Sequence, residues 1–448
     1  MDDILDLTRP KYLDMFLLTK VHAITLERRV QLEWRNRHFS TPNISGAAAS
    51  SSDMAFSSNS CWSITSFLVI LQLLSSSSLY ADGCYTSIFS FGDSLADTGN
   101  LKQLASISDQ VFSLLLPPYG ENFFDQSTGR CSNGRLIIDF LAESLGLPLL
   151  PPFLHDKDNV VTLGHGVNYA VAGATALNSS ILEARGIVNS MTNASLGVQL
   201  EWFKQTLPSL CNSVSECRTL IGSSLIIMGE IGGNDYNYPI LAGKPINEVE
   251  PLVPLVIDTI ISAINELIDM GAQTLIVPGN FPIGCSSAYL TLCGSENKID
   301  YDNTTGCLIN LNKFAEYHNE LLQTKLNHLR ELHPNVVIIY ADYYNAAMQI
   351  FLSPDKYGFT NGALKACCGG GGPYNVNESV ECGISASVCD DPDTYVNWDG
   401  IHLTESAYRV ISRSLFQGAY TTPQFNSLCP VPTSTSTLQV GNGLWNSV

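Results

Sequence analysis

The chain has 448 residues, 45% of them hydrophobic, and a formal net charge of −19. That length and apolar content suit one large domain or two modest ones with a real core. A body this acidic repels nucleic acid and anionic lipid, so nucleic-acid binding and stable membrane insertion are excluded.

The first 53 residues differ from the rest. They hold seven Lys/Arg and seven Asp/Glu, which cancel, so the whole negative charge falls on the remainder. An Arg-rich patch (Arg28, Arg29, Arg35, Arg37) precedes the small-residue run SGAAASSSD. A second beginning follows at Met54. The apolar stretch Ile64 to Leu74 is too short for a membrane-spanning helix, which needs about 20 apolar residues. It fits the centre of a secretory signal over 54–81, with Ser75 to Ser78 and Ala81 offering cleavage points. Residues 1–53 are therefore read as a non-native or disordered extension. A transit peptide would also explain the arginines, but not the seven acidic residues.

From Cys84 onward, strand-like and helix-like segments alternate. TSIFSFG (86–92) reads as a strand ending in a turn. SSLIIMGEIGGND (223–235) is a second apolar run that ends in glycines. Val253, Val256, Ile257, Ile260, Ile264, Leu267 and Ile268 recur at helical spacing over 252–270, and Gly271 stops that helix. TLIVPGN (274–280) is the next strand. Leu311, Phe314, Leu321, Leu322 and Leu329 mark one face of a helix that Pro334 ends, and VVIIYAD (336–342) follows as a strand. Ala407, Ile411 and Leu415 mark a last helix before Gly418. Short apolar strands separated by helices imply a parallel sheet covered on both faces, in one α/β domain over residues 84–429. The Ser/Thr-rich tail, 430–448, is expected to be loose.

Thirteen cysteines are present. Cys61 lies in the signal, leaving an even twelve. No C-x-x-C pair and no zinc-finger His spacing occurs, so disulfides in an oxidising compartment explain the set better than a metal. The close pairs Cys211/Cys217 and Cys285/Cys293 are the expected bridges. Sequons at Asn178, Asn193, Asn303 and Asn377 also fit a secreted glycoprotein.

In open parallel sheets, ligands bind at the carboxyl ends of the strands. That rule selects Gly92-Asp93-Ser94, Gly232-Gly233-Asn234-Asp235 and the turn after Val277. Alone, Asp93 and Ser94 read equally as helix caps. A nucleophilic serine needs a base, and the base needs an orienting partner. His318 and His328 fall in a helix and read as packing or surface residues. His402 lies on a loop before the last helix, three residues after Asp399, a spacing that lets the carboxylate reach Nδ1 and leaves Nε2 free. A capped turn with a satisfied loop histidine has the same spacing. Acyl transfer also needs donors for the developing oxyanion. Gly173 can present its backbone N–H, Asn234 a side-chain amide from a strand end, and Ser94 a backbone N–H at a helix start.

Ser94 in FGDSLADTGN, Gly173 in NYAVAGA, Asn234 in GGND, and Asp399 with His402 in DGIHLTE resemble, in order, the blocks of the GDSL (SGNH) hydrolases. The resemblance runs from Cys84 to about Leu428. YGENFFDQSTGRCSNGRLIIDFLAE (119–143), VPGNFPIGC (277–285) and ACCGGGGPYN (366–375) are similar to the plant secreted branch, in particular the group of acetylajmalan esterase and sinapine esterase. The resemblance implies a three-layer, flavodoxin-like α/β/α fold and a serine carboxylester hydrolase. It implies Ser94 as nucleophile, His402 as base and Asp399 as its orienting acid, with Gly173, Asn234 and the Ser94 N–H as oxyanion donors. A small-molecule ester substrate, no cofactor or metal, and a monomer secreted to the cell wall, apoplast or vacuole are the further expectations. The G-x-S-x-G elbow is absent at residues 92–96, and CCGGGGPYN lacks the Lys-Ser/Thr of a phosphate loop. Its glycines read instead as a disulfide-anchored loop near the site. An acyltransferase with the same residues, or a non-catalytic binding glycoprotein, are the alternatives.

Overall fold

Apolar runs of three to five residues, too short to form helices, pair into one sheet. The structure is a computed structural model that describes residues 84–155, 164–377, 379–383 and 385–430. The extension over 1–53, the signal over 54–81 and the tail beyond Pro430 lie outside the described residues. The strands are β1 (Ile88–Ser90), β2 (Gly166–Asn168), β3 (Leu225–Ile227), β4 (Thr274–Pro278) and β5 (Val337–Ala341). All five run parallel, in the order β5-β4-β3-β1-β2. The sheet is nevertheless mixed. Thr421–Thr422 adds a sixth, antiparallel strand beside β5. Two residues at a sheet edge leave no periodic signal in the sequence.

Successive strand residues point to opposite faces, and both faces are buried. Phe89, Ile226, Leu275 and Ile338 join one apolar cluster. Ile88, Leu225, Ile276 and Ile339 join the other. The first face is covered by α1 (Leu196–Leu210), α2 (Leu252–Met270) and α3 (Ile309–Leu332). The second is covered by Ile137–Ser144, by Tyr343–Leu352 and by α4 (Glu405–Phe416). The result is the expected three-layer α/β/α sandwich.

Helix boundaries follow the local chemistry. Gly271 closes α2 with φ of 119°, and its N–H reaches the Leu267 and Ile268 carbonyls. Only glycine takes that conformation cheaply. The segment Ile246–Met270 is long and apolar enough to cross a membrane, but Val253, Val256, Ile257, Ile260, Ile264 and Leu267 are buried in the core. α3 stops at Leu332, two residues before Pro334.

Among the described residues five disulfides form: Cys84–Cys429, Cys211–Cys217, Cys285–Cys307, Cys367–Cys389 and Cys368–Cys382. The first ties the two ends of the domain together. Cys211–Cys217 is the expected bridge, whereas Cys285 pairs with Cys307 and not with Cys293. The helix Ser287–Leu292 lies between Cys285 and Cys293 and carries the latter about 9 Å along its axis, beyond disulfide reach. Leu308 instead bonds back to the Gly284 carbonyl, which brings Cys307 beside Cys285. Among the described residues Cys131 and Cys293 remain free thiols, so the even twelve do not all pair with one another.

Candidate active site

Ser94 follows β1 at its carboxyl end. Phe91 still pairs with Ile227 of β3, and then Gly92 turns with φ of 135°. A side chain there would meet the Glu230 carbonyl at 2.9 Å. The Gln199 side chain of α1 holds Gly92 on both sides: the Gly92 N–H donates to Oε1 (2.9 Å) and Nε2 donates to the Gly92 carbonyl (2.8 Å). Asp93 N–H donates to the Glu230 carbonyl. Ser94 therefore sits in a braced turn and not, as the sequence pattern predicts, at a helix start. The following helix begins only at Asn100. Asp97 caps it, accepting from the N–H groups of Gly99, Asn100 and Leu101, and it also accepts from Ala172 on the neighbouring loop.

His402 and Asp399 make the contact that their spacing predicts. The Asp399 Oδ2 lies 2.6 Å from His402 Nδ1 and accepts from the Tyr119 hydroxyl at 2.7 Å. Its Oδ1 accepts from the backbone N–H groups of Ile401 and His402. Burial alone would raise this carboxyl, but the His402 ring, its N–H and Tyr119 outweigh it and hold Asp399 below the ordinary carboxylate range. The loop is pinned from outside by the Ser132 hydroxyl on the Leu403 carbonyl and by Asn133 on the Glu405 N–H.

The free thiol of Cys131 is fully buried. Burial pushes that thiol well up, and the charges of Asp399, Asp97 and Asp93 push it further. No hydrogen bond joins the Ser94 hydroxyl to the His402 ring. Among the described residues both Ser94 Oγ and His402 Nε2 lack partners, as is common before substrate tightens a site.

The three predicted oxyanion donors gather beside Ser94. Asn234 Nδ2 bridges Asp93 Oδ2 (3.1 Å) and the Ala174 carbonyl (3.0 Å), the chain neighbours of Ser94 and Gly173. Asn234 lies in the first turn of the helix Gly233–Leu241, not at the strand end itself. The Gly173 carbonyl is held by the Tyr238 hydroxyl and by Asn189. The N–H groups of Gly173 and Ser94 donate to nothing among the described residues. At Gly173, φ is 82° and a Cβ would meet Met191 at 2.7 Å. The Asp235 carboxylate accepts from Ala176 and Leu177 N–H and so locks the Gly173 loop to the Asn234 helix. Burial pushes Asp235 up to about 7.

Sequence reasoning misses Gln199 and Tyr119, and it selects Asp235 without its role, because their partners arrive only on folding. It also misses Glu230, buried against Asp93. Burial and then the Glu230 charge push Asp93 well up, and burial raises Glu230. Two buried carboxyls this close disfavour each other's charge. His318 is buried and bonded to the Tyr236 hydroxyl, away from this chemistry. His328 is exposed.

Two cavities meet at Ile401. One of ≈ 60 Å³ holds Ser94, with Phe281, Tyr289 and Phe351 among its walls. The other, of ≈ 480 Å³, holds His402 and Asp399. Gly369, Asn375 and Cys382 line the second, so the glycine-rich loop does border the site and is anchored by two disulfides.

A family model described as GDSL-like Lipase/Acylhydrolase matches residues 88–415. The chain belongs to this family. The GDSL hydrolase is 57% identical over 346 residues to GDSL esterase/lipase At1g28590 of Arabidopsis thaliana, covering 77% of this chain and 85% of that one. It is 55% identical over 346 residues to At1g28600 of the same plant, covering 77% and 87%. It is 50% identical over 371 residues to At1g28670, covering 82% and 96%. Membership in this family names a hydrolase reaction class for the chain.

Proposed function

We propose that the protein is a secreted serine carboxylester hydrolase acting through an acyl-serine intermediate. His402 Nε2 takes the Ser94 proton as Oγ attacks the ester carbonyl carbon. Asp399 holds the ring in the tautomer with Nδ1 protonated and stabilises the imidazolium. The carbonyl oxygen, now negative, takes hydrogen bonds from the N–H groups of Ser94 and Gly173 and from Asn234 Nδ2, which turns from Asp93 toward the oxyanion. The tetrahedral centre collapses, the alkoxide leaves with the proton from His402, and the acyl group stays on Ser94. Water, deprotonated by His402, then attacks the acyl-serine, and the acid leaves as His402 returns that proton to Ser94 Oγ.

The observation that carries this reading is the Asn234 bridge. It joins the residues next to Ser94 and Gly173, whose own N–H groups are uncommitted. The resemblance to acetylajmalan and sinapine esterases supports small acetyl or aromatic acyl esters as substrates. Five disulfides and four exposed sequon asparagines support secretion and glycosylation at Asn178, Asn193, Asn303 and Asn377. The test compares purified wild type and Ser94→Ala on p-nitrophenyl acetate and asks whether a fluorophosphonate labels Ser94. Turnover by the variant at the wild-type rate would refute the assignment.

A further inference from the structure

Asn280 follows β4 at the carboxyl edge of the sheet and is 4% exposed. Its backbone is fully engaged by another residue. The Asn280 N–H donates to Asn319 Oδ1 at 2.6 Å, and Asn319 Nδ2 donates to the Asn280 carbonyl at 3.0 Å. Asn319 on α3 therefore holds this turn, and the side chain of Asn280 takes no part in holding it. Its amide nitrogen is buried and has no hydrogen-bond partner among the described residues. A buried donor left unpaired costs stability, and an apolar side chain of the same size would not.

Asn280 lines the same cavity as Ser94, together with Phe281, Ile283, Tyr289 and Phe351. His402 lines the other cavity. The general acid must reach the oxygen of the leaving alcohol, so the alcohol part of an ester belongs on the His402 side. The acyl part, which stays on Ser94, belongs on the Asn280 side. A mostly apolar pocket that offers an unmet side-chain amide besides the Ser94 groups fits a mostly apolar acyl group that carries one acceptor.

We propose that Asn280 is a specificity-determining residue whose side-chain amide donates a hydrogen bond to an oxygen substituent on the acyl group of the ester. The proposal rests on the Ser94 hydrolase reading. A site built around a hydrogen bond discriminates against the analogue lacking it, because the buried donor then stays unpaired. The unmet donor of the free enzyme is thus a cost that the correct acyl group removes.

The test uses the full secreted chain, disulfides intact, and matched p-nitrophenyl esters. In one series an ether oxygen replaces each successive methylene of the hexanoate. A second pair sets a ring-methoxy cinnamate against its ring-ethyl counterpart. For each pair the ratio of kcat/KM, oxygen-bearing over hydrocarbon, is measured in wild type, Asn280→Leu and Asn280→Ala. Taking variant against wild type cancels the intrinsic reactivity of each ester. The expected result is a fall of about tenfold in at least one ratio in both variants, with the melting temperature of Asn280→Leu at or above wild type. Ratios that stay within about threefold for every pair, in either folded variant, overturn the proposal. So does a uniform loss on all esters, which marks a structural residue. Failure of the underlying reading looks different: wild type then hydrolyses none of the esters and Ser94 takes no fluorophosphonate.

Discussion

Gln199 and Gly92 exchange two hydrogen bonds just past the carboxyl end of β1, amide to backbone, at 2.9 and 2.8 Å. The side chain acts as one rung of an extra strand, two residues before Ser94. Gly92 keeps a second acceptor contact, because Val171 N–H also reaches its carbonyl, but its own N–H has only Gln199. Gln199→Leu should leave that N–H orphaned and lower stability by about 1–3 kcal/mol. The looser turn should lower kcat by up to about 10² while KM changes little. Denaturant melts and steady-state kinetics on one acetyl ester check both.

Tyr119 donates one of four hydrogen bonds to Asp399, across 280 residues of sequence. Tyr119→Phe removes that donor and keeps the ring edge against Trp398. Three donors remain, so the His402 tautomer is preserved. Turnover should fall by no more than about tenfold, far short of the roughly 10⁴ expected for Asp399→Asn, where the tautomer is lost. Equal losses in the two variants would show that Tyr119 does more than support the carboxylate. The comparison is read from kcat at a pH where the enzyme is fully active.

Gly173 is the donor most exposed to a simple test. Its φ of 82° disfavours any side chain, and a Cβ would press on Met191 at 2.7 Å and on the Tyr238 hydroxyl at 3.0 Å. Gly173→Ala should rotate the peptide and withdraw its N–H. The expected loss is about 10²–10³ in kcat, with fluorophosphonate labelling of Ser94 slowed but not abolished. Unchanged kcat would remove Gly173 from the proposed oxyanion site.

Legibility in the sequence followed the range of the interaction. Strands such as Ile88–Ser90 and Val337–Ala341 were readable because burial on both faces demands a continuous apolar run. α2 was readable to the residue because its apolar spacing and Gly271 are local signals. The Asp399–His402 contact is local too, three residues apart. The sequence pattern puts Ser94 at a helix start because Asp and Ser are good caps, but Asp97 takes that role. Its carboxylate meets three N–H groups of the helix at once. Gln199 and Asn319 were invisible: an amide on a helix face looks like a surface residue until tertiary packing buries it. Cys293 was misjudged for a related reason, since proximity in sequence ignores the helix between it and Cys285.

His318 gives the clearest pH dependence of stability. It is buried on α3 with its ring bonded to Tyr236, and burial lowers it to about 4 from an ordinary 6.5. The unfolded chain therefore binds a proton between those values that the folded chain refuses. Stability then rises with pH across that window and is lost as the pH falls from 6.5 toward 4, with no further loss from this group below. The buried acid Asp235 pulls the other way. Raised to about 7, it is protonated when folded and ionised when unfolded, so its contribution declines as pH rises through the same range. Only a difference measurement separates the two. His318→Gln keeps a polar partner for Tyr236 and cannot titrate. Unfolding free energies of wild type and variant, measured by denaturant at intervals from pH 4 to 7 with disulfides intact, should differ by an amount that shifts in the variant's favour as the pH drops below 6.5. A constant difference across that range would mean that His318 is protonated equally in both states.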